Sequence, residues 1–363
     1  MSKRRSKSWY SKLPDESLSV YEPYKKLFFE TMFERQMIWK RRFLLNQSRP
    51  WTDNEILNNF KFTNVYRELD RNSQWLIKNI ITDSSLSVKN LVWKMMVFRF
   101  FNNPETFTFD VRGKAIQTSL FDEENGIKRQ VNSVKDLISA SRWKNGIPDY
   151  DEYDEDEFSR FIEGIRSVGQ NPYTTAYLVH SGFHSRDYYH TRVVIPTLHK
   201  NIDKIVNVIL NFEKVDDIIK FLETLPNVSD FMSHEFYQDF TYIPRYTNRK
   251  FIRFDQNDYT NVGPGASVGI RLIYPNLKGK EQKEGIYRLR DEAETMLSLV
   301  AKEKNVDSFP YLYWNKSKHF YETKNECNIT LHQIEMWLCE FQKYFKMMIG
   351  EGKQRSKFIP KTL

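Results

Sequence analysis

The sequence L-P-N-V-S, Leu225 to Ser229, stands between two segments of helical periodicity, Val215–Leu225 and Ser229–Tyr242. Leu-Pro-x-Val-x leading into a helix is the pattern by which a helix-hairpin-helix grips a nucleic-acid backbone through exposed main-chain N–H groups. Two helices meeting at one tight turn imply a mainly α chain. The usual glycines are replaced by Asn227 and Ser229. Asparagine tolerates positive φ and serine does so poorly, so the turn is expected at Asn227. Leu225, Pro226, Asn227, Val228 and Ser229 are the candidate DNA contacts.

Downstream lies D-Q-N-D-Y-T-N-V-G-P-G-A-S-V-G, Asp255 to Gly269. Asp255 and Asp258 fall where an enzyme built on such a hairpin keeps a catalytic carboxylate. Gly263, Pro264, Gly265 and Ala266 form a turn opening a helix, and N–H groups at a helix start suit phosphate. Ser267 adds a hydroxyl, Gly269 allows close helix packing and Arg271 adds charge. The glycines do not match a dinucleotide fingerprint, and no G-x-x-x-x-G-K-[ST] occurs, so no P-loop kinase activity is expected from this chain itself.

Helical periodicity dominates elsewhere. Tyr24–Leu45 reads as a helix ending in Lys40, Arg41 and Arg42, cations that suit a helix C-terminus and a phosphate-facing patch. Thr63 or Asn64 can cap a helix to Ile80, and Ser87 one to Phe101, stopped by Asn102-Asn103-Pro104. Further helices are expected over Asp156–Val168, Thr174–His180, Ile202–Phe212, Gly285–Lys302 and Thr330–Ile349. Only Phe107–Val111 and Lys250–Phe254 suggest strands. No long linker or repeat divides the chain. The reading is a basic arm over 1–20, one helical domain over 21–352 and a basic tail over 353–363.

The 363 residues carry Lys+Arg 55 against Asp+Glu 47, a net charge of +8. This moderate excess suits a polyanionic partner. No apolar run is long enough to span a membrane, and the N-terminus has no apolar segment behind its charges. Two cysteines, Cys327 and Cys339, fit a reducing compartment and exclude a four-cysteine metal or iron–sulfur site. The histidines lack zinc-motif spacing. The acidic run Asp149–Glu157 reads as a solvated loop entering a helix N-terminus in preference to a magnesium site.

Two further clusters could carry chemistry. On a helix from Asn64, Arg67 and Arg71 would share a face, as would Tyr66 and Asp70. Asp70 would orient an arginine, and Tyr66 would offer a ring and a hydroxyl to a phosphorylated base. Composition alone favours a salt-bridged helix surface over that role. On the last helix, Glu335 neighbours Cys339, and Glu340 neighbours Lys343 and Tyr344. Nothing in the sequence lowers the pKa of Cys339, so it is expected to be a small buried residue rather than a nucleophile.

P-W-T-D (Pro50–Asp53), F-T-N-V-Y-R-E-L-D (Phe62–Asp70), V-F-R-F-F-N (Val97–Asn102), N-P-Y-T-T-A-Y (Asn171–Tyr177), G-P-G-A-x-x-G and L-C-E-F-x-K-Y occur in that order. Together they resemble the α-glutamyl/putrescinyl thymine pyrophosphorylases, which share a helical domain with 5-hydroxymethyl-deoxyuridine DNA kinases. The resemblance covers roughly Arg49–Lys357 and implies a helix-hairpin-helix, DNA glycosylase-like helical fold. It implies phage DNA hypermodification: a kinase activates hydroxymethyluracil in DNA, and this enzyme replaces the pyrophosphate with an amino acid or polyamine. Kinases of the family add a P-loop domain; its absence here favours the stand-alone transferase. Phe231 stands where glycosylase/lyases carry a nucleophilic lysine, so lysine-dependent lyase chemistry is not expected.

The implied reaction needs cations and N–H donors at the leaving pyrophosphate, for which Arg67, Arg71, Lys343 and Gly263–Ala266 are candidates. It needs a carboxylate to take the amine proton, from Asp255, Asp258, Glu335 or Glu340. Asn64, Tyr66 and Tyr344 complete the expected substrate contacts. No metal or cofactor is expected, except that magnesium could accompany pyrophosphate. The partners implied are DNA with modified thymine or uracil, a small amine and a DNA-base kinase, with no membrane. The setting implied is the cytoplasm of an infected bacterium, or the nucleus of a eukaryote. Two rival readings are a glycosylase or lyase acting on a modified base, and a non-catalytic reader of modified DNA.

Overall fold

The computed structural model describes residues 20–107, 141, 143, 146–167, 169–174 and 184–352. The basic arm, the strand expected from Phe107, the helix expected over Thr174–His180 and the basic tail lie wholly or almost wholly outside them. The labelled helices are α1 Glu22–Trp39, α2 Glu55–Asn59, α3 Arg71–Leu76, α4 Val88–Phe101, α5 Glu155–Ser167, α6 Ile195–Asn211 and α7 Val215–Leu222. They continue with α8 Asp230–Tyr246, α9 Pro264–Ile273, α10 Gln282–Glu303, the strands β1 Tyr311–Asn315 and β2 Phe320–Lys324, and α11 Leu331–Met348. The chain is mainly helical. Where one domain was expected over 21–352, its contacts cluster into two compact units, 1–70 with 255–363, and 71–254.

In the first unit, Pro23 starts α1, where a missing N–H does no harm. Phe28, Phe29, Met32, Phe33 and Met37 then pack into a core with Ile270 and Ile273 of α9, Leu289, Ala293 and Leu297 of α10, and Ile334, Trp337, Leu338 and Phe341 of α11. The Trp337 indole N–H donates to the Phe28 carbonyl at 3.2 Å, which locks α11 onto α1. The tightest approach is between α9 and α11. A Cβ on Gly265 would stand 2.9 Å from Cys339 Sγ, and one on Gly269 would collide with the Leu338 carbonyl. Here glycine is required for close approach of two backbones, as expected for Gly269.

Helix α1 does not run to Leu45. Beyond Trp39 the chain widens into a π-helical turn, Lys40–Leu44, and reverses at Asn46 with φ 48°. The expected strand at Lys250–Phe254 is absent, and the strands lie instead at β1 and β2. They form an antiparallel hairpin with Tyr313 opposite Glu322. Its aromatic-rich strands lack the strict alternation that marks a strand in sequence.

In the second unit, Ser87 caps α4, its side chain accepting from the Asn90 N–H at 3.2 Å, and Asn102 ends it in left-handed conformation. Both boundaries match the sequence reading. Arg99 of α4 and Asp239 of α8 form a buried bidentate pair at 2.6 and 2.5 Å. The acidic run before α5 does what was expected: Asp154 accepts from the Glu157 N–H at 2.6 Å, and Arg192 pairs with Asp156 at 2.6 Å. Helices α7 and α8 are joined by a tight turn with Asn227 at φ 62°. Ser229 stays extended at φ −99°, so replacing its glycine strains nothing.

Candidate functional site

Asp70 gathers the first polar cluster. The backbone leaves a single 3-10 turn, Arg67–Leu69, and becomes extended at Asp70. Asp70 Oδ1 accepts from the Asn64 main-chain N–H at 3.1 Å and from Asn64 Nδ2 at 2.8 Å. Asn64 Oδ1 accepts from Arg35 Nη2 at 2.8 Å, and that nitrogen also reaches the Phe62 carbonyl at 3.3 Å. Desolvation outweighs the Asn64 donors and the Arg67 and Arg35 charges, and pushes the Asp70 carboxyl up to about 6. Desolvation likewise brings Arg35 down to about 10, against the attraction of Asp70 and Glu340 and with the repulsion of Arg42. An acid and a cation, each shifted towards neutrality, thus share one desolvated corner of the first unit.

Helix α11 brings the second carboxylate. Glu340 is buried and accepts from Lys343 Nζ at 2.6 Å, one turn along. Its other oxygen accepts from the Thr63 main-chain N–H at 3.4 Å. The adjacent Tyr344 hydroxyl accepts from Asn54 Nδ2 at 2.9 Å. Asn54 also caps α2 through the Leu57 N–H. The segments P-W-T-D, F-T-N-V-Y-R-E-L-D and L-C-E-F-x-K-Y, far apart in sequence, therefore converge in one unit.

Beside this cluster opens a cleft of about 470 Å³, lined among others by Glu34, Arg41, Trp51, Asn54, Lys304 and Tyr344. Glu34 accepts from Arg41 at 2.8 Å and lies 3.4 Å from Lys304. Burial raises its pKa, but Arg41, the Thr52 hydroxyl and Lys304 together hold the carboxyl below its ordinary value. Arg35, Glu34 and Lys304 were not legible as site residues. Their only signal was charge interrupting apolar stretches, which is also how a solvated helix face reads.

Several expected roles change. The helix from Asn64 to Ile80 breaks at Asp70, so Arg67 and Arg71 do not share a helical face. Arg71 begins α3 and pairs with Glu105 at 2.7 Å, both largely exposed, instead of with Asp70. Tyr66 is fully buried and donates to Asn328 Oδ1 at 2.5 Å, so its ring supports the core and is not offered to a base. Asp255 and Asp258 are exposed and hold their own loop: Asp258 accepts from the Asp255 N–H and Asp255 from the Asn257 N–H, each at 2.6 Å. Asn257 Oδ1 then accepts from the Leu331 N–H at 3.3 Å, at the start of α11.

The Gly263–Ala266 turn opens α9 as expected, but it faces α11. A Cβ on Gly263 would stand 3.4 Å from Glu335 Oε1. The Cys339 thiol is pushed well up by burial and by Glu335 and Glu340, while the Ala266 N–H at the sulfur acts the other way. Cys339 is therefore a thiol, as the sequence suggested. The turn's positive end already meets a carboxylate and a sulfur, which leaves less of it for phosphate. Leu225–Ser229 belongs to the second unit, and the carboxylates belong to the first. Among the described residues, no His/Cys/Asp/Glu group could hold a metal ion, and no helix is long and apolar enough to cross a membrane.

Residues 22–125 and 141–354 match the family model for the helical domain of 5-hmdU DNA kinase. The chain is 24% identical over 329 residues to a 5-hmdU DNA kinase of Bacillus phage SP10, a match covering 90% of this chain and 45% of that protein. The chain thus spans about half the length of the curated relative it matches. No solved structure matches.

Proposed function

The chain belongs to the family of 5-hmdU DNA kinase helical domains, and on that premise we propose that it is a transferase of thymine hypermodification acting on DNA. It displaces pyrophosphate from pyrophosphorylated 5-hydroxymethyluracil with the amine of an amino acid or polyamine. The observation that carries this reading is Asp70. Both donors from Asn64 meet Oδ1, which leaves Oδ2 to accept a proton. A carboxyl near 6 is matched to general-base work close to neutral pH.

In the proposed reaction the neutral amine attacks the exocyclic methylene on C5. The C–N bond forms as the C–O bond to pyrophosphate breaks. The leaving group takes the bonding pair, and the amine proton passes to Asp70 Oδ2. Arg35, Arg67 and Lys343 supply positive charge where the leaving oxygens gain negative charge. The target carbon lies in the major groove of the duplex, and the base is extruded into the cleft beside Trp51 and Tyr344 to bring that carbon to the amine and the carboxyl. The turn at Leu225–Ser229 serves as a grip on the DNA backbone. The reaction takes place in the cytoplasm of an infected bacterial host.

The test is nucleoside mass spectrometry of hydroxymethyluracil DNA treated with a DNA-base kinase, ATP, this protein and a panel of amines. The expected product is an amine-bearing thymine with an intact glycosidic bond and one pyrophosphate released per base. Abasic sites would instead identify a glycosylase. Binding without turnover for every amine would identify a reader.

A further inference from the structure

The sequence from Lys40 to Thr52 holds Lys40, Arg41, Arg42 and Arg49 and no acidic residue. At its apex three consecutive large apolar side chains face solvent: Phe43 at 45%, Leu44 at 39% and Leu45 at 52% exposure. Single exposed apolar residues are ordinary, but three in a row at one apex are not. They are held there by a braced loop. The Leu45 N–H donates to the Lys40 carbonyl at 3.0 Å and the Gln47 N–H to the Arg41 carbonyl at 2.9 Å. The Trp51 indole donates to the Gln47 carbonyl at 2.7 Å, and Arg41 to the Trp51 carbonyl at 2.5 Å. Arg49 ties the far side by donating to the Asn58 carbonyl.

The cations are arranged around this apex. The Arg42 guanidinium lies 4.6 Å from the Phe43 ring centre and 5.2 Å from that of Trp51, and Arg49 lies 5.6 Å from Trp51. Two guanidiniums on one indole repel each other, and an anion between them relieves that repulsion. The same loop supplies Arg41, Gln47, Pro50 and Trp51 to the wall of the cleft.

We propose that Phe43, Leu44 and Leu45 are a wedge that enters the base stack of duplex DNA while Arg42 and Arg49 hold the flanking phosphates. Apolar side chains that pry a base step apart, with arginines on the adjacent backbone, are an established way for proteins to unstack a duplex. Charge selects DNA as the occupant, since a positive ring around an apolar tip repels a second copy of itself. The position beside the cleft gives the wedge its use: it opens the stack next to where the extruded base is received. This inference rests on the reading of DNA as substrate.

The experiment uses the full chain, an amine donor and a duplex with 2-aminopurine beside pyrophosphorylated hydroxymethyluracil. Wild type should raise the fluorescence on binding. F43A/L44A/L45A should lose most of that rise and slow single turnover on the order of tenfold on duplex, yet match wild type when the target base is already unpaired. Leu299→Ala, another exposed apolar residue, serves as control. If wild type binds and unstacks the duplex and the triple variant does so equally, the wedge is wrong while the DNA reading stands. If wild type binds no duplex, both fall. If the triple variant chiefly loses self-association in sedimentation, the apex is a contact between copies and the proposal is overturned.

Discussion

Asp70 shows how one residue can set stability against activity. Its folded pKa of about 6 stands above its ordinary 3.8, chiefly through desolvation. The folded state therefore binds the proton more tightly than the unfolded chain. Stability from this group is fully present below about pH 4 and is lost as the pH rises to about 6. Allowing for residual exposure, the ionised carboxylate costs roughly 1–2 kcal/mol at neutral pH. Asp70→Asn keeps an acceptor for Asn64 and removes the charge. It should raise the melting temperature at pH 7, with little change at pH 4, while reducing turnover on the order of a hundredfold or more. The wild-type rate under single turnover should climb with pH through about 6. A pH-independent rate, or a destabilised Asp70→Asn at pH 7, would remove Asp70 from the role of base.

At the scale of elements, what was legible depended on how local the cause was. Ser87 and Asn102 bound α4 by their own side-chain and backbone chemistry, and both ends could be read directly. The Asn227 turn was legible for the same reason. The helix from Asn64 was not, because its break at Asp70 answers to Asn64 and Arg35, and Arg35 is distant in sequence. Glu340 and Lys343 could be paired by helical spacing, but nothing in the sequence brought Thr63 to Glu340. The glycines of α9 were read as a phosphate turn, yet their position against α11 makes them a packing device, with only Gly269 anticipated as such. Gly269→Ala must push the Leu338 backbone away, and should destabilise the protein by about 1–3 kcal/mol or more in chemical denaturation. The Arg99–Asp239 pair predicts a similar sensitivity in α4 and α8. Asp239→Ala removes the bidentate carboxylate from a buried guanidinium and should cost about 3–5 kcal/mol.

For the whole molecule, the net charge of +8 and the basic loop at Lys40–Arg49 predict DNA affinity dominated by phosphate contacts. Affinity measured by fluorescence anisotropy should fall steeply between low and moderate salt, with a log–log slope of about −0.9 per neutralised phosphate. Salt-independent affinity would argue against a nucleic-acid substrate. Composition made the charge legible, but not its concentration around an apolar apex, because Phe43, Leu44 and Leu45 continue the helical pattern of α1 in the sequence although the backbone has already widened from Lys40.

The division of the chain also has a consequence for synthesis. Residues 71–254 form an uninterrupted unit, inserted between two segments that must find each other. The ribosome releases the inserted unit complete, while α1 waits for α9, α10 and α11. The corner holding Arg35, Asp70 and Glu340 is therefore completed only after the inserted unit has been made, and a chain stalled before α11 carries no such site. A fragment of residues 71–254 should show a cooperative melt by circular dichroism. The separated segments should show none until both are present, and a fragment 71–254 without a melt would reverse that order of birth.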